Sequence, residues 1–243
     1  MARQSGPFRL NGDMGDINYY FNRLAGRMVG RRKRENLSEE ARTSPRYEVF
    51  RQHGAIHGAS SKSCTLLKEF IREAIKGAYD NKMNTRLVTL GKQIMRAAGE
   101  DNGHPFHTPK VTAFRDFRFN KKAGVANLVY SGMSTEICKR SYIMSFSAPD
   151  VVASRGCTHY QFACCVAGVD FTNRLYDGRY EKSELFTHGV TNGKFELNVE
   201  IPSGYPVYFG IVIFRQFKYL NGRYYMYTNY KGLAADITDV WIG

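Results

Sequence analysis

The sequence predicts an α+β fold, mainly β: an N-terminal basic β-hairpin, a helical hairpin, and a C-terminal antiparallel β-sandwich, Ig-like in outline. Three observations carry that prediction. Charge is lopsided, with a net of +12 over residues 1–122 and +1 over residues 123–243. Apolar residues recur at helical spacing between Leu67 and Ala98. From about residue 111 they alternate, or run in short blocks, between the pairs Asp177-Gly178, Asn192-Gly193 and Asn221-Gly222. Such pairs flanked by apolar runs are strong hairpin signals. The expected domains are therefore 1–110, the basic hairpin plus two helices, and 111–243, the sandwich.

The first element is the hairpin. Asp16–Phe21 is rich in strand formers, Asn22–Gly26 supplies turn residues, and Arg27–Arg31 returns into the run Arg31-Arg32-Lys33-Arg34. A two-stranded hairpin is marginal alone. It is expected to pack on the rest of the chain or to pair with another chain through its edge. Residues 35–58 read as polar and irregular, with Ser44-Pro45 ending any helix there. Leu67, Phe70, Ile71, Ala74, Ile75 and Ala78 then mark an amphipathic helix of roughly four to five turns, broken at Asp80-Asn81. Leu87, Leu90, Gly91, Ile94 and Ala98 mark a second, stopped near Gly99 and Asn102-Gly103-His104-Pro105. Their short connection makes an αα-hairpin. Candidate strands follow at 128–130, 142–146, 160–169, 185–186, 195–201, 207–217, 224–228 and 236–241. Phe195, Leu197, Val199 and Ile201 alternate with Glu196, Asn198 and Glu200, which leaves one face of that strand in water.

Hydrophobic content of 43% excludes a wholly disordered chain. No apolar run is long enough to span a bilayer. The start, Met1–Pro7, has no apolar stretch behind its charge, so synthesis and folding in the cytoplasm is the expectation. Cys64, Cys138, Cys157, Cys164 and Cys165 make a poor disulfide framework, being odd in number with a vicinal pair. Cys157, His159, Cys164 and Cys165 do not suit zinc, because on a strand Cys164 and Cys165 point to opposite faces. His53 and His57 are spaced to share a metal on a helix, but Gly54 and Gly58 argue against a helix there. His104 and His107, with Asp101 nearby, lack a third His or Cys. No metal and no cofactor are expected.

No Gly-x-Ser-x-Gly elbow, P-loop or dinucleotide glycine fingerprint is present. Ser131–Ser134 reads as a turn, and Asp170, Asp177, Glu181 and Glu184 as solvent-facing carboxylates. No catalytic residue is nominated, and an enzyme is not expected.

The motif order is Gly-x-x-Gly-Asp-Ile-x-Tyr-Tyr at 12–20, then an Arg-rich strand end. Pro45-Arg46-Tyr47-Glu48-x-x-Arg51-Gln52-x-Gly54-Ala55-x-x-Gly58 follows, then Leu66-Leu67-Lys68-x-x-Ile71-Arg72 and Phe117-Arg118-Phe119-Asn120. This order resembles a family of uncharacterised small basic proteins of Bacteroidota, built as hairpin, helices and β-sandwich. Where that family more usually has a Glu-Phe pair, this chain has Ile56-His57. The resemblance implies no activity, cofactor or catalytic residue.

Function is expected to lie in assembly. Tyr19, Tyr20 and Phe21 on the hairpin, and Tyr224, Tyr225 and Tyr227 on the sandwich, are nominated as interface residues, because Tyr is enriched at interfaces. The partners are other copies of the chain or neighbouring components of a virion, a phage-tail-like particle or a filament. The alternative is a nucleic-acid-binding accessory protein with Arg31, Arg32, Lys33 and Arg34 on phosphate.

Overall fold

The computed structural model describes residues 2–3, 10–22, 26–32, 37–98, 104–130, 132–147, 150–190, 193–227 and 232–243. It is α+β with mostly β content, and all its strand pairings are antiparallel. By contact the chain divides into Met1–Gly54 and Ala55–Gly243. The apolar face of the helical hairpin belongs to one core with the C-terminal sheet.

In the first unit, β1 (Ala2–Arg3), β2 (Gly12–Met14), β3 (Ile17–Asn22) and β4 (Arg27–Arg32) form a sheet in the order β1-β4-β3-β2. The expected hairpin is β3–β4, in register from Ile17↔Arg32 to Asn22↔Arg27, and each side gains a short strand. Gly15, at φ 57, turns β2 into β3. The segment expected to be irregular is instead helical over 37–58, apart from Ser44. There α1 (Leu37–Thr43) is followed by a 3-10 turn at Pro45–Tyr47 and the start of α2 (Glu48–Ile71). Ser44 is extended, as a residue before proline prefers. The Arg51 guanidinium staples the break, donating to the carbonyls of Ala41 (3.0 Å) and Ser44 (2.8 Å). Gly54 and Gly58 cost about 1 kcal/mol each relative to Ala, a penalty that a 24-residue helix absorbs.

In the second unit α2 ends at Ile71, earlier than the apolar spacing predicts. Ile75 and Ala78 are buried all the same, but on turns that include Gly77 at φ 81. The Arg215 guanidinium donates to the Ala74 carbonyl there. The second helix, α3 (Met83–Ala98), lies where expected; its expected stop at residues 99–103 falls outside the described residues. Two 3-10 runs, Pro105–His107 and Pro109–Phe114, and the short α4 (Val125–Leu128) occupy sequence expected to be strand or loop. Of the strand expected at 128–130 only a bridge from Val129 to Val151 remains.

The remaining strands are β5 (Met133–Cys138), β6 (Ser141–Phe146), β7 (His159–Asp170), β8 (Leu175–Lys182), β9 (Phe186–Thr187), β10 (Phe195–Glu200), β11 (Val207–Leu220), β12 (Arg223–Met226) and β13 (Ala234–Ile242). β5 takes in Met133 and Ser134, which had read as part of a turn. β7 and β11 pair from Val169↔Val207 to His159↔Phe217 and form the spine of the larger sheet. On one side of that spine lie β8 and β9; on the other lie β12 and β13. A smaller sheet runs β10-β6-β5.

Ala163, Cys165, Ile211 and Ile213 of the spine share a core with Leu67 and Ile71 of α2 and Leu87 and Ile94 of α3. Phe162, Cys164, Val212 and Phe214 share another with Tyr142, Met144, Phe146 and Val199 of the smaller sheet. The unit is therefore two stacked antiparallel sheets, consistent with a β-sandwich, with a helical layer on the outer face of the larger one. Strands covered on both faces need apolar side chains throughout. This explains the uninterrupted runs of β7 and β11, and why Tyr208 and Phe209 on opposite faces are both buried. Asn221 (φ 49) and Gly222 (φ 76) make the primed turn that joins β11 to β12. Asp177-Gly178, expected as a turn, lies inside β8, where Gly178 pairs with Ala167.

Candidate functional site

The N-terminal sheet carries an apolar face that is largely exposed among the described residues. Strand alternation places Met14, Ile17, Tyr19, Phe21 and Met28 on one side. Met14 is 58% exposed, Phe21 51% and Ile17 36%. Tyr19 is half-buried because its ring lies over Gly30, where a Cβ would meet Cε1 at 2.9 Å. Among the described residues of Met1–Gly54, Val29 is the one buried apolar side chain. Burying one such side chain stabilises by about 2 kcal/mol, whereas ordering the backbone costs about 1–2 kcal/mol for every residue fixed. The described residues of the unit have secondary structure without a core of matching size.

The opposite face carries Asn18, Tyr20, Arg27 and Arg31 with the buried Val29. Arg31 lies over the Tyr20 ring, 5.6 Å from its centroid, whereas Arg32 pairs with Ile17 on the apolar side and donates to Asp16 at 3.1 Å. Both arginines are exposed on β4. Lys33 and Arg34, nominated with them, lie outside the described residues. The structure thus places Arg31 with Tyr20 and on the face opposite Ile17 and Phe21, so the nominated hairpin residues fall into two different surfaces.

The second nominated surface is the end of the larger sheet. Tyr224 and Tyr225 are 48% and 52% exposed on β12, and Tyr219 of β11 joins them at 46%. Tyr219, Tyr224 and His159 form a ring cluster, with Tyr224 4.8 Å from Tyr219 and 4.9 Å from His159. Tyr227 differs: it is half-buried, close to Gly232, and its backbone N–H donates to Gln216. A cleft of about 530 Å³ adjoins this end, lined by Phe70, Gln161, Tyr180, Arg215, Phe217 and Met226 among others.

His104, His107, Cys164 and Cys165 are engaged structurally. His104 accepts from the Phe106 N–H at 3.1 Å, shares a hydrogen bond with Ser63 at 3.2 Å and stacks on Phe171. Burial pushes it down to about 4, so its ring is neutral near pH 7. His107 accepts from the Phe171 N–H at 3.0 Å. His53 and His57 stand one turn apart on α2, so the helix that their glycines argued against is present, and both rings are exposed. Cys164 and Cys165 enter different cores, and burial pushes Cys165 up to about 12. Among the described residues no group of three His, Cys, Asp or Glu side chains is placed to hold a metal.

The carboxylates are similarly committed. Asp170 caps its own turn, accepting from the N–H groups of Thr172 and Asn173, and Asp177 pairs with Arg179. Asp239, absent from the sequence reading, accepts from Tyr142 (2.5 Å), Thr135 (2.7 Å) and Arg115 (2.7 Å), tying the two sheets together. A buried acid two residues from the chain's only Trp gives no sequence signal for that tie. Among the described residues no helix is long and apolar enough to cross a membrane. No protein-family model, curated protein or solved structure matches the chain.

Proposed function

We propose that the protein is a non-catalytic structural component that assembles with copies of itself, its N-terminal sheet being completed by that of a neighbour. The observation that supports this most is the exposed face of Met14, Ile17 and Phe21 in a unit whose described residues bury one apolar side chain. The short outer strands β1 and β2 leave backbone N–H and C=O groups available for strand addition. In this proposal the C-terminal slab, read as an Ig-like sandwich with an added helical layer, is the rigid body. Its exposed Tyr219, Tyr224 and Tyr225 supply a second contact. The assembly served is a virion, a phage-tail-like particle or a filament, and neighbouring components of it are the other partners.

Size-exclusion chromatography with light scattering, at rising concentration and two salt levels, tests it. The expected mass climbs in multiples of the chain with concentration and falls to one chain when Ile17 and Phe21 are both replaced by Lys. A single-chain mass at every concentration overturns it.

A second reading is favoured by the seating of Arg31 over Tyr20: a nucleic-acid contact, with cations on phosphate and a ring for stacking. It predicts salt-steep binding of DNA or RNA that disappears when Arg31, Arg32, Lys33 and Arg34 become Ala.

A further inference from the structure

Two turns of the second unit, 79–82 and 120–122, wall a cavity of about 670 Å³. They are laced together by two polar side chains. The Asp80 carboxylate accepts the backbone N–H groups of Lys82 and Lys121 and the Arg86 guanidinium, each at 2.8 Å. Asn120, fully buried, accepts the Lys122 N–H at 3.0 Å and donates to the Leu233 carbonyl at 3.2 Å. The backbones of three lysines are thereby fixed around one space, while their side chains remain exposed.

The lining is cationic: Lys82, Arg86, Lys121 and Lys122 against Asp80 alone, a net of +3. Asp80 is already engaged by three donors, and Arg86 also donates to the carbonyls of Arg118 and Phe119. Among the described residues Lys82 and Lys121 have no ion-pair partner. Like charges gathered at one cavity repel, and a bound polyanion reverses that cost. Tyr79, 48% exposed, stands on the same lining and offers a ring face.

We infer that this cavity binds a nucleotide, its phosphate on Lys82 and Lys121 and its base against Tyr79. Phosphate gathers up to two charges and three acceptor oxygens on one centre, which suits several ammonium groups at a single cavity better than separate carboxylates do. The volume falls within the range of about 300–1,000 Å³ typical of small-molecule sites. The base distinguishes a nucleotide from inorganic phosphate, because a stacked ring raises affinity by about fivefold or more per base. A free nucleotide and one unit of a single strand present the same chemistry. This site shares no residue with the Arg31 surface and does not depend on assembly.

The test is binding of a fluorescein-labelled oligothymidylate and of ADP to the full chain, with inorganic phosphate as the control competitor. Lys82→Gln with Lys121→Gln is expected to weaken binding about tenfold and to flatten the salt slope of the oligonucleotide by about 1.4. Tyr79→Ala is expected to weaken it at least fivefold. Arg31→Ala with Arg32→Ala is expected to leave ADP affinity unchanged. Oligonucleotide and ADP binding together indicate a strand unit, and ADP alone a free nucleotide; either result supports the site. No binding of either probe overturns it, as does binding lost only with the Arg31 and Arg32 changes. Inorganic phosphate competing as well as ADP, with Tyr79→Ala silent, overturns the nucleotide assignment. If a variant melts below the wild type, ligand protection of Lys82 and Lys121 from acetylation in the unaltered protein decides, and absence of protection overturns the site.

Discussion

Phe70 presses its ring against the backbone of β8: a Cβ on Gly178 would lie 1.5 Å from Cε2. Gly178→Ala therefore forces the ring or the strand to move, and overpacking of this kind costs about 1–3 kcal/mol. The expected result is a lower urea midpoint, partly restored by Phe70→Leu in the same chain. That contact is also why Asp177-Gly178 misleads as a turn signal: the glycine answers a neighbour more than a hundred residues earlier in the chain, which local sequence does not reveal. Asp236 makes a second prediction. Its Oδ2 accepts the Val125 N–H at 2.7 Å, its buried Oδ1 has no partner among the described residues, and burial raises its carboxyl to about 6. The unfolded value is about 3.9, so the folded state binds the extra proton between the two. The resulting stability is fully present below pH ~4 and is lost as pH rises through ~6. Asp236→Asn stays neutral and is expected to be more stable than wild type above pH ~6 by up to about 3 kcal/mol, with the gain vanishing below pH ~4. Urea denaturation of both proteins across that range checks it, and a pH-independent difference contradicts it. Asp80 and Asp239, held low by their hydrogen bonds despite burial, work in the opposite direction but are common to both proteins.

Among the elements, α2 and α3 meet where α3 has no side chain. A Cβ on Gly91 would lie 2.5 Å from Ser60 Oγ, 2.9 Å from Cys64 Sγ and 3.0 Å from Phe106 Cζ. Helix propensity favours Ala over Gly by about 1 kcal/mol, but the crowding comes from three directions and outweighs it. Gly91→Ala is therefore expected to destabilise. Gly54→Ala on α2, with nothing within 4 Å of the added atom, is expected to stabilise by up to about 1 kcal/mol. Thermal melts of the pair should move in opposite directions, and matching shifts would contradict the packing described. The same contrast explains which elements were legible. α3 buries Leu87, Gly91, Ile94 and Ala98, so its spacing announces it. The first half of α2 is largely exposed and leaves no stripe to read. β8, exposed along most of its length, lacked the alternation that marks β10. β7 and β11 were legible as strands, but the cover on each of their faces, helices on one and the smaller sheet on the other, was not.

For the molecule as a whole, the two units differ in how they are held. Residues 55–243 bury two extensive apolar clusters, one on each face of the larger sheet. Residues 1–54 bury one described apolar side chain, and Met14, Ile17 and Phe21 remain in water. The hairpin, its cations and its aromatic residues were all legible in the sequence. The shortage of core was not, because it depends on which face each ring takes and on what lies behind it. The account predicts that the N-terminal sheet gains its stability from a second copy. Hydrogen exchange at the amides of β3 and β4, followed at rising protein concentration, measures this most directly. Protection that increases with concentration, while that of β7 and β11 stays constant, is the predicted result. Strong protection of β3 and β4 that is already complete at the lowest concentration would contradict it.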